Sequence, residues 1–182
     1  FHAYPYVADR YVLMSAGASV GDGYGPLVVA QRPLSSADLE EMTVAVPGER
    51  TTAFLALKLF CPMVRTKVLP FDKIQEAVSR GDADAGLLIH EGQLSYGDSK
   101  LHRIVDLGEW WTGETGLPLP LGGNAIRRSM DRDLQGKCSD IIRDTVQYAL
   151  DHRREALEYA LSFARGLDRA RALVWAEHFR RA

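Results

Sequence analysis

Apolar residues recur along this chain in two rhythms. Short unbroken runs, bounded by proline, glycine or charge, predict strands, and positions repeating every three to four residues predict helices. From residue 43 onward the two alternate. Residues 43–46 read as a strand that Pro47-Gly48 breaks. Residues 51–60 follow as a helix: Phe54, Leu55, Leu57, Lys58 and Leu59 carry the period, Thr51 or a neighbour caps it, and Pro62 ends it. Residues 67–70 are the next strand. Residues 72–80 are the next helix, with Asp72 and Gln75 spaced as a capping box and Gly81 closing it. Residues 85–89 are an apolar run that stops at His90. This β-α-β-α-β order predicts parallel strands joined by right-handed crossovers. The turn after Val46 and the turn after Ile89 then lie at the same sheet edge.

The flanks are more irregular. Residues 1–9 form an aromatic lead-in, in which a hydrogen-bonded His2 within a packed loop is favoured over one facing a cleft. Residues 11–15 and 27–31 read as short strands. Gly17, Gly21, Gly23 and Gly25 lie between them and lead into a strand, not a helix, so they make turns and no nucleotide-binding fingerprint. Residues 34–42 are a connector with one helical turn. After His90 a polar loop is expected as far as residue 100. A strand at 103–107, a helix at 108–115 bearing Trp110 and Trp111, an extended Pro-rich segment at 118–121 and a strand at 124–127 follow. The remainder reads as helices over 131–150, 153–164 and 168–181. Residues 26–30 and 119–126 look like crossings between two lobes. The expected division is part of one lobe and the first crossing in 1–30, a second lobe in 31–121, and a mainly helical return to the first in 122–182.

Composition narrows the function classes. With 182 residues, 46% of them hydrophobic, the chain suffices for one domain or two small lobes. The net charge is -2 and the basic residues are scattered, which marks neither a nucleic-acid surface nor a membrane-binding face. The late arginines (Arg165, Arg169, Arg171, Arg180, Arg181) read as a solvated helix face. Cys61 and Cys138 are far apart, in no metal or redox spacing, and read as free thiols. The chain opens at Phe1 without Met and ends within a helical pattern. Both termini are expected to be missing, and any targeting segment with them.

The candidate chemistry gathers at the shared edge. Ligands of open α/β sheets sit beyond the carboxyl ends of the strands, and His90 falls there. A neutral imidazole at that place suits a general base, although a single histidine at a strand end is more often structural. Glu91 either orients the ring or faces water. The start of the helix after Pro47-Gly48-Glu49-Arg50 offers unpaired N–H groups and the hydroxyls of Thr51 and Thr52, which suit an anion. Taken alone, that stretch reads as an ordinary capped helix. Trp110 and Trp111 either stack on a planar ligand or pack in the core, with core packing expected for at least one. Tyr96 and Asp98 either line the cleft or form a plain surface loop. His102, His152 and His178 show no ligand spacing with His90, so no metal site is expected. No nucleophile-elbow pattern is present either.

Five blocks of sequence carry a resemblance. They are Phe1-His2-Ala3-Tyr4, Gly23-Tyr24-Gly25-Pro26-Leu27-Val28-Val29, Pro47-Gly48-Glu49-Arg50-Thr51-Thr52-Ala53, Leu88-Ile89-His90-Glu91-Gly92-Gln93-Leu94, and Asp106-Leu107-Gly108-Glu109-Trp110-Trp111 with Thr115-Gly116-Leu117-Pro118-Leu119-Pro120-Leu121-Gly122. In order and spacing they resemble the 1,4-dihydroxy-6-naphthoate synthases of the futalosine route to menaquinone, from Phe1 to about Trp175. The resemblance implies an α/β fold of the type II periplasmic-binding-protein kind, two lobes around a cleft, in a cytoplasmic enzyme. It implies a carbon–carbon lyase that converts cyclic dehypoxanthine futalosine into 1,4-dihydroxy-6-naphthoate and dihydroxyacetone. The expected partner is a small-molecule carboxylate substrate, with no metal or organic cofactor. It further implies His90 as the proton acceptor and Thr52 and Ala53, beside Thr51, as substrate-binding residues. Family chains extend beyond this one at both ends, so it reads as a fragment. Two other classes share the fold: a non-catalytic solute-binding protein and the related chorismate dehydratase. The His90-Glu91-Gly92 block argues against both.

Overall fold

The computed structural model describes residues 1–90 and 92–163. In chain order it contains a 3-10 turn (Tyr4–Tyr6), β1 (Tyr11–Leu13), β2 (Ser19–Gly21), β3 (Leu27–Ala30), a 3-10 helix (Ser36–Glu41), β4 (Thr43–Val46), α1 (Thr52–Phe60), β5 (Arg65–Val68), a 3-10 turn (Phe71–Lys73) and α2 (Ile74–Arg80). It continues with β6 (Ala85–Leu88), α3 (Gly92–Ser95), a 3-10 turn (Tyr96–Ser99), β7 (His102–Asp106), α4 (Leu107–Thr115), β8 (Leu119–Gly122), β9 (Ala125–Arg127), α5 (Arg132–Asp151) and α6 (Arg153–Leu161). These elements form two compact units. One comprises Phe1–Ala3 and Val20–Leu121; the other comprises Tyr4–Ser19 and the chain from Gly122 onward.

The first unit is built on a five-stranded sheet in the order β5-β4-β6-β3-β7. β4 runs parallel to β5, with Thr43 opposite Arg65, and parallel to β6, with Val44 opposite Ala85. These are the strands that the alternating pattern predicts. Residues 27–31, read as a short strand, contain β3, which takes an interior seat antiparallel to both β6 and β7. The reason is burial. Leu27, Val28, Val29 and Ala30 are all shielded from water, and four successive apolar residues need cover on both faces, which only an interior strand receives.

Because side chains alternate across a strand, the sheet sorts its apolar residues into two cores. Val28, Val44, Val46 and Leu87 join Leu57 of α1 and Leu107 of α4 on one face. Leu27, Val29, Ala45 and Leu88 join Ile74 and Val78 of α2 on the other. Full burial of a side chain such as Leu57 or Ile74 contributes roughly 1.5–3 kcal/mol. Gly86 lets α2 lie close to β6: a Cβ there would meet Ile74 Cγ2 and Val78 Cγ2 at 2.7 Å.

Two local expectations fail for identifiable reasons. The capping box at Asp72 and Gln75 is not formed. Pro70 and a 3-10 turn lead the chain into α2, and no side chain caps that helix. Gln75 is used elsewhere: its Nε2 donates to Ser95 O at 3.1 Å and to Ser99 Oγ at 2.7 Å. Those bonds fasten the segment after His90, expected as a polar loop, as α3 and a 3-10 turn. In the second unit, β1 pairs antiparallel with β9, and Asn124 Nδ2 donates to Gly17 O at 3.2 Å. Asp131 caps α5 by accepting from the N–H groups of Asp133 and Leu134. The helix expected over 168–181 lies outside the described residues.

Candidate active site

Strand directions bring five chain ends of the first unit to one sheet edge. The carboxyl ends of β4, β5 and β6 point the same way because these strands are parallel. The start of β3 lies beside the end of β6, with Leu27 opposite Leu88. The end of β7 lies on its other side, with Leu27 opposite Asp106. The turn into α1, His90, Gly25 and the start of α4 all follow from this register.

At the turn into α1, Gly48 has φ 149, outside the range that side chains favour. Thr51 caps the helix. Its Oγ1 accepts from Phe54 N at 3.1 Å and donates to Gly48 O at 2.8 Å. Thr52 Oγ1 donates to Leu121 O at 3.1 Å. Both hydroxyls are therefore committed to the protein, and the anion-competent donors are the backbone N–H groups. Those of Thr52 and Ala53, the first two helical residues, are bonded to no acceptor among the described residues. His2, expected in a packed aromatic loop, sits behind them. Its Nδ1 lies 3.1 Å from Thr51 O, and its ring stacks on Phe54 at 6.4 Å. A ring nitrogen that meets a carbonyl oxygen carries the proton, so the geometry fixes the tautomer with Nδ1–H donating.

His90 stands two residues beyond Leu88, the last residue of β6, and is exposed. Its φ is 53, a left-handed conformation that only one other described non-glycine residue, Lys100, adopts. The Phe71 ring meets the imidazole edge-on at 5.4 Å. Glu91 lies outside the described residues. Two neighbours of His90 escape sequence reasoning, Phe71 and Gln93. Phe71 belongs to the turn after β5, and only the strand order brings it here.

Asp106 is the buried acid of this edge, 7% exposed. Its Oδ1 caps α4 by accepting from Gly108 N at 2.8 Å and Glu109 N at 3.1 Å. Burial raises its carboxyl above the usual range, against the lowering effect of those two bonds. The native state therefore holds this proton more tightly than the unfolded chain. The associated stability is present below the unfolded pKa and is lost as pH rises through the raised one. Asn caps as well as Asp but carries no charge. Asp106→Asn is therefore at least as stable as wild type at pH 7, and its advantage shrinks as pH falls into the carboxylate range. Urea melts across that range check this.

Trp110 and Trp111 both pack against the first core, and Phe60 meets Trp110 edge-on at 5.2 Å. The Trp111 indole N–H is buried with no hydrogen-bond partner among the described residues. Tyr96 packs against the second core, whereas Asp98 is exposed. Both cysteines are free thiols, Cys61 buried and Cys138 half-buried. Among the described residues no cluster of His, Cys, Asp and Glu could hold a metal ion. Nor is any described helix long and apolar enough to cross a membrane.

The comparisons with known proteins agree with one another. A family model described as "Menaquinone biosynthesis" matches residues 1–181. The chain is 42% identical over 176 residues to a protein of Thermus thermophilus named 1,4-dihydroxy-6-naphtoate synthase, covering 97% of this chain and 63% of that one. It is 38% identical over 172 residues to a Streptomyces coelicolor protein of the same name, covering 91% and 60%. The chain thus spans 60–63% of the length of these curated relatives. Among solved structures, protein AF1704 from Archaeoglobus fulgidus superposes with a TM-score of 0.91 at 47% identity, covering 97% of this chain and 66% of that one. The cysteine-binding protein from Campylobacter jejuni superposes with a TM-score of 0.60 at 15% identity, covering 92% and 64%. That likeness bears on fold alone, and the fold is periplasmic-binding-protein-like.

Proposed function

As this chain belongs to the menaquinone biosynthesis family, we propose that the protein it forms part of is a carbon–carbon lyase converting cyclic dehypoxanthine futalosine into 1,4-dihydroxy-6-naphthoate and dihydroxyacetone. The observation that carries this reading is the edge shared by two parallel neighbours. Just beyond the end of β6 stands an exposed histidine, and β4 leads into a helix whose first two N–H groups are bonded to no acceptor among the described residues.

In this reading the N–H groups of Thr52 and Ala53 hold the substrate carboxylate. The helix start adds partial positive charge. Thr51 and Gly48 fix the direction of the N–H groups. The imidazole of His90 takes a proton from the bound substrate as general base. Loss of that proton sets off fragmentation, and aromatisation of the naphthalene product helps drive it. The chemistry calls for no metal or organic cofactor. The enzyme acts in the cytoplasm on a small molecule, without nucleic acid or membrane.

The test is turnover of cyclic dehypoxanthine futalosine by the full-length protein, followed by mass spectrometry. Formation of 1,4-dihydroxy-6-naphthoate together with dihydroxyacetone is the expected result. Tight binding without product overturns the enzyme in favour of a solute-binding protein. Dehydration of chorismate instead assigns the chain to the other lyase of the route.

A further inference from the structure

We propose that Gln93 is the positioning residue of the candidate base, holding His90 in its left-handed conformation and so setting where the imidazole stands. This inference rests on the reading of His90 as the base. A non-glycine residue at φ 53 lies higher in energy than its right-handed or extended alternatives, because its Cβ crowds the carbonyl oxygen. It persists only where its surroundings hold it there.

Gln93, the second residue of α3, holds the backbone of His90 on both sides of its Cα. Its backbone N–H donates to His90 O at 3.2 Å. The orientation of its side-chain amide is assigned from its partners: with the oxygen toward His90 N and the nitrogen toward Gly25 O, Oε1 accepts from His90 N at 3.3 Å and Nε2 donates to Gly25 O at 3.1 Å, whereas the opposite orientation sets donor against donor and acceptor against acceptor. The amide thus bridges the base to Gly25, which cannot give way. A Cβ on Gly25 would meet Gly108 N at 2.7 Å and Gly108 Cα at 2.8 Å, so two backbones are already in contact there. Just beyond, Leu107 N donates to Pro26 O at 2.9 Å. His90 is therefore referenced, through one carboxamide, to the joint between β3 and the start of α4.

The role demands a donor and an acceptor on one side chain of this length. Glutamate keeps the acceptor for His90 N but sets a carboxylate oxygen against Gly25 O. Methionine, of similar length, supplies neither group. Because the backbone conformation directs Cβ, releasing the clamp moves the ring, and a misplacement of about 1 Å can cost on the order of 100-fold in rate.

The test uses the full-length enzyme with Gln93→Met, Gln93→Glu and, as a reference, His90→Asn. For each Gln93 variant kcat is expected to fall by about 10- to 100-fold with KM within about threefold, the signature of an interaction that matters in the transition state. Exchange of the His90 amide hydrogen is expected to speed up in Gln93→Met, which lacks the acceptor, with the urea midpoint little changed in both variants. If Gln93→Met does not fold, Gln93→Glu, which keeps the bond to His90 N and loses the one to Gly25 O, carries the kcat test. Wild-type kcat and unchanged His90 exchange, beside an inactive His90→Asn, overturn the clamp and leave the base in place. Activity losses that merely track the unfolded fraction also overturn it. If His90→Asn still turns over, the base reading fails, and faster exchange in Gln93→Met then shows a clamp that serves no catalysis.

Discussion

In the full-length protein, His90→Asn is expected to lower turnover by about 10²- to 10⁴-fold while the fold and substrate binding persist. Asparagine is chosen because it tolerates the left-handed region better than any other non-glycine residue. It therefore keeps the backbone at φ 53 and removes only the imidazole. His90→Gly is the companion. It relieves strain of about 1 kcal/mol but adds unfolded-state entropy worth about 0.5–1 kcal/mol, so its stability stays near that of wild type. Two variants that fold like wild type and are both inactive place the loss in the chemistry of the ring. His90 is a structural residue if His90→Asn retains wild-type kcat in the futalosine assay.

Gly108→Ala lowers the stability of the sheet unit by about 3 kcal/mol or more, at or beyond the upper end of ordinary overpacking. A Cβ at this position would stand 2.0 Å from both C and O of Tyr24 and 2.4 Å from Gly25 N. All three are backbone atoms, so no side chain can rotate away. Relative to a total of about 5–15 kcal/mol for a domain, the loss is large, and it falls on the joint that also supports Gln93. Gly113 on the same helix is the control. A Cβ there meets nothing within 4 Å, so Gly113→Ala gains about 0.5–1 kcal/mol from helix propensity. Urea melts of the two variants should move in opposite directions. A Gly108→Ala midpoint equal to wild type would mean that the two backbones separate without cost.

What could be read from the sequence was local. Val46 followed by Pro47-Gly48, the cap at Thr51 and the closure at Gly81 are decided by a few neighbouring residues, and the structure places them where the pattern does. The parallel pairing of β4 with β5 and β6 follows from the alternation of strand and helix. The seat of β3 did not show, because an apolar run announces burial without naming its partner. Asp72 misled for a related reason: a capping box is a local signal, and Gln75 makes better use of its amide on Ser95 and Ser99. At the candidate site, the end of the apolar run marked His90. Its backbone conformation, Phe71 and the Gln93 bridge depend on Gly25 and on strand order, neither of which a linear pattern encodes. The resemblance blocks carried the family, which spacing and periodicity alone did not reach.

The antiparallel seat of β3 has a consequence for the newborn chain. A ribosome makes β3 first, and both of its neighbours, β6 and β7, come later. At about 5–20 residues per second, the interval between Ala30 and Asp106 is on the order of ten seconds. Meanwhile β4, α1, β5, α2 and β6 can assemble as a sequence-local parallel module, but Leu27, Val28, Val29 and Ala30 have no completed slot to enter. Such a stretch is a natural target for a chaperone that holds extended apolar segments. Only when the start of α4 has emerged can Gly25 dock on Gly108, so the support beneath His90 is among the last parts of the sheet to form.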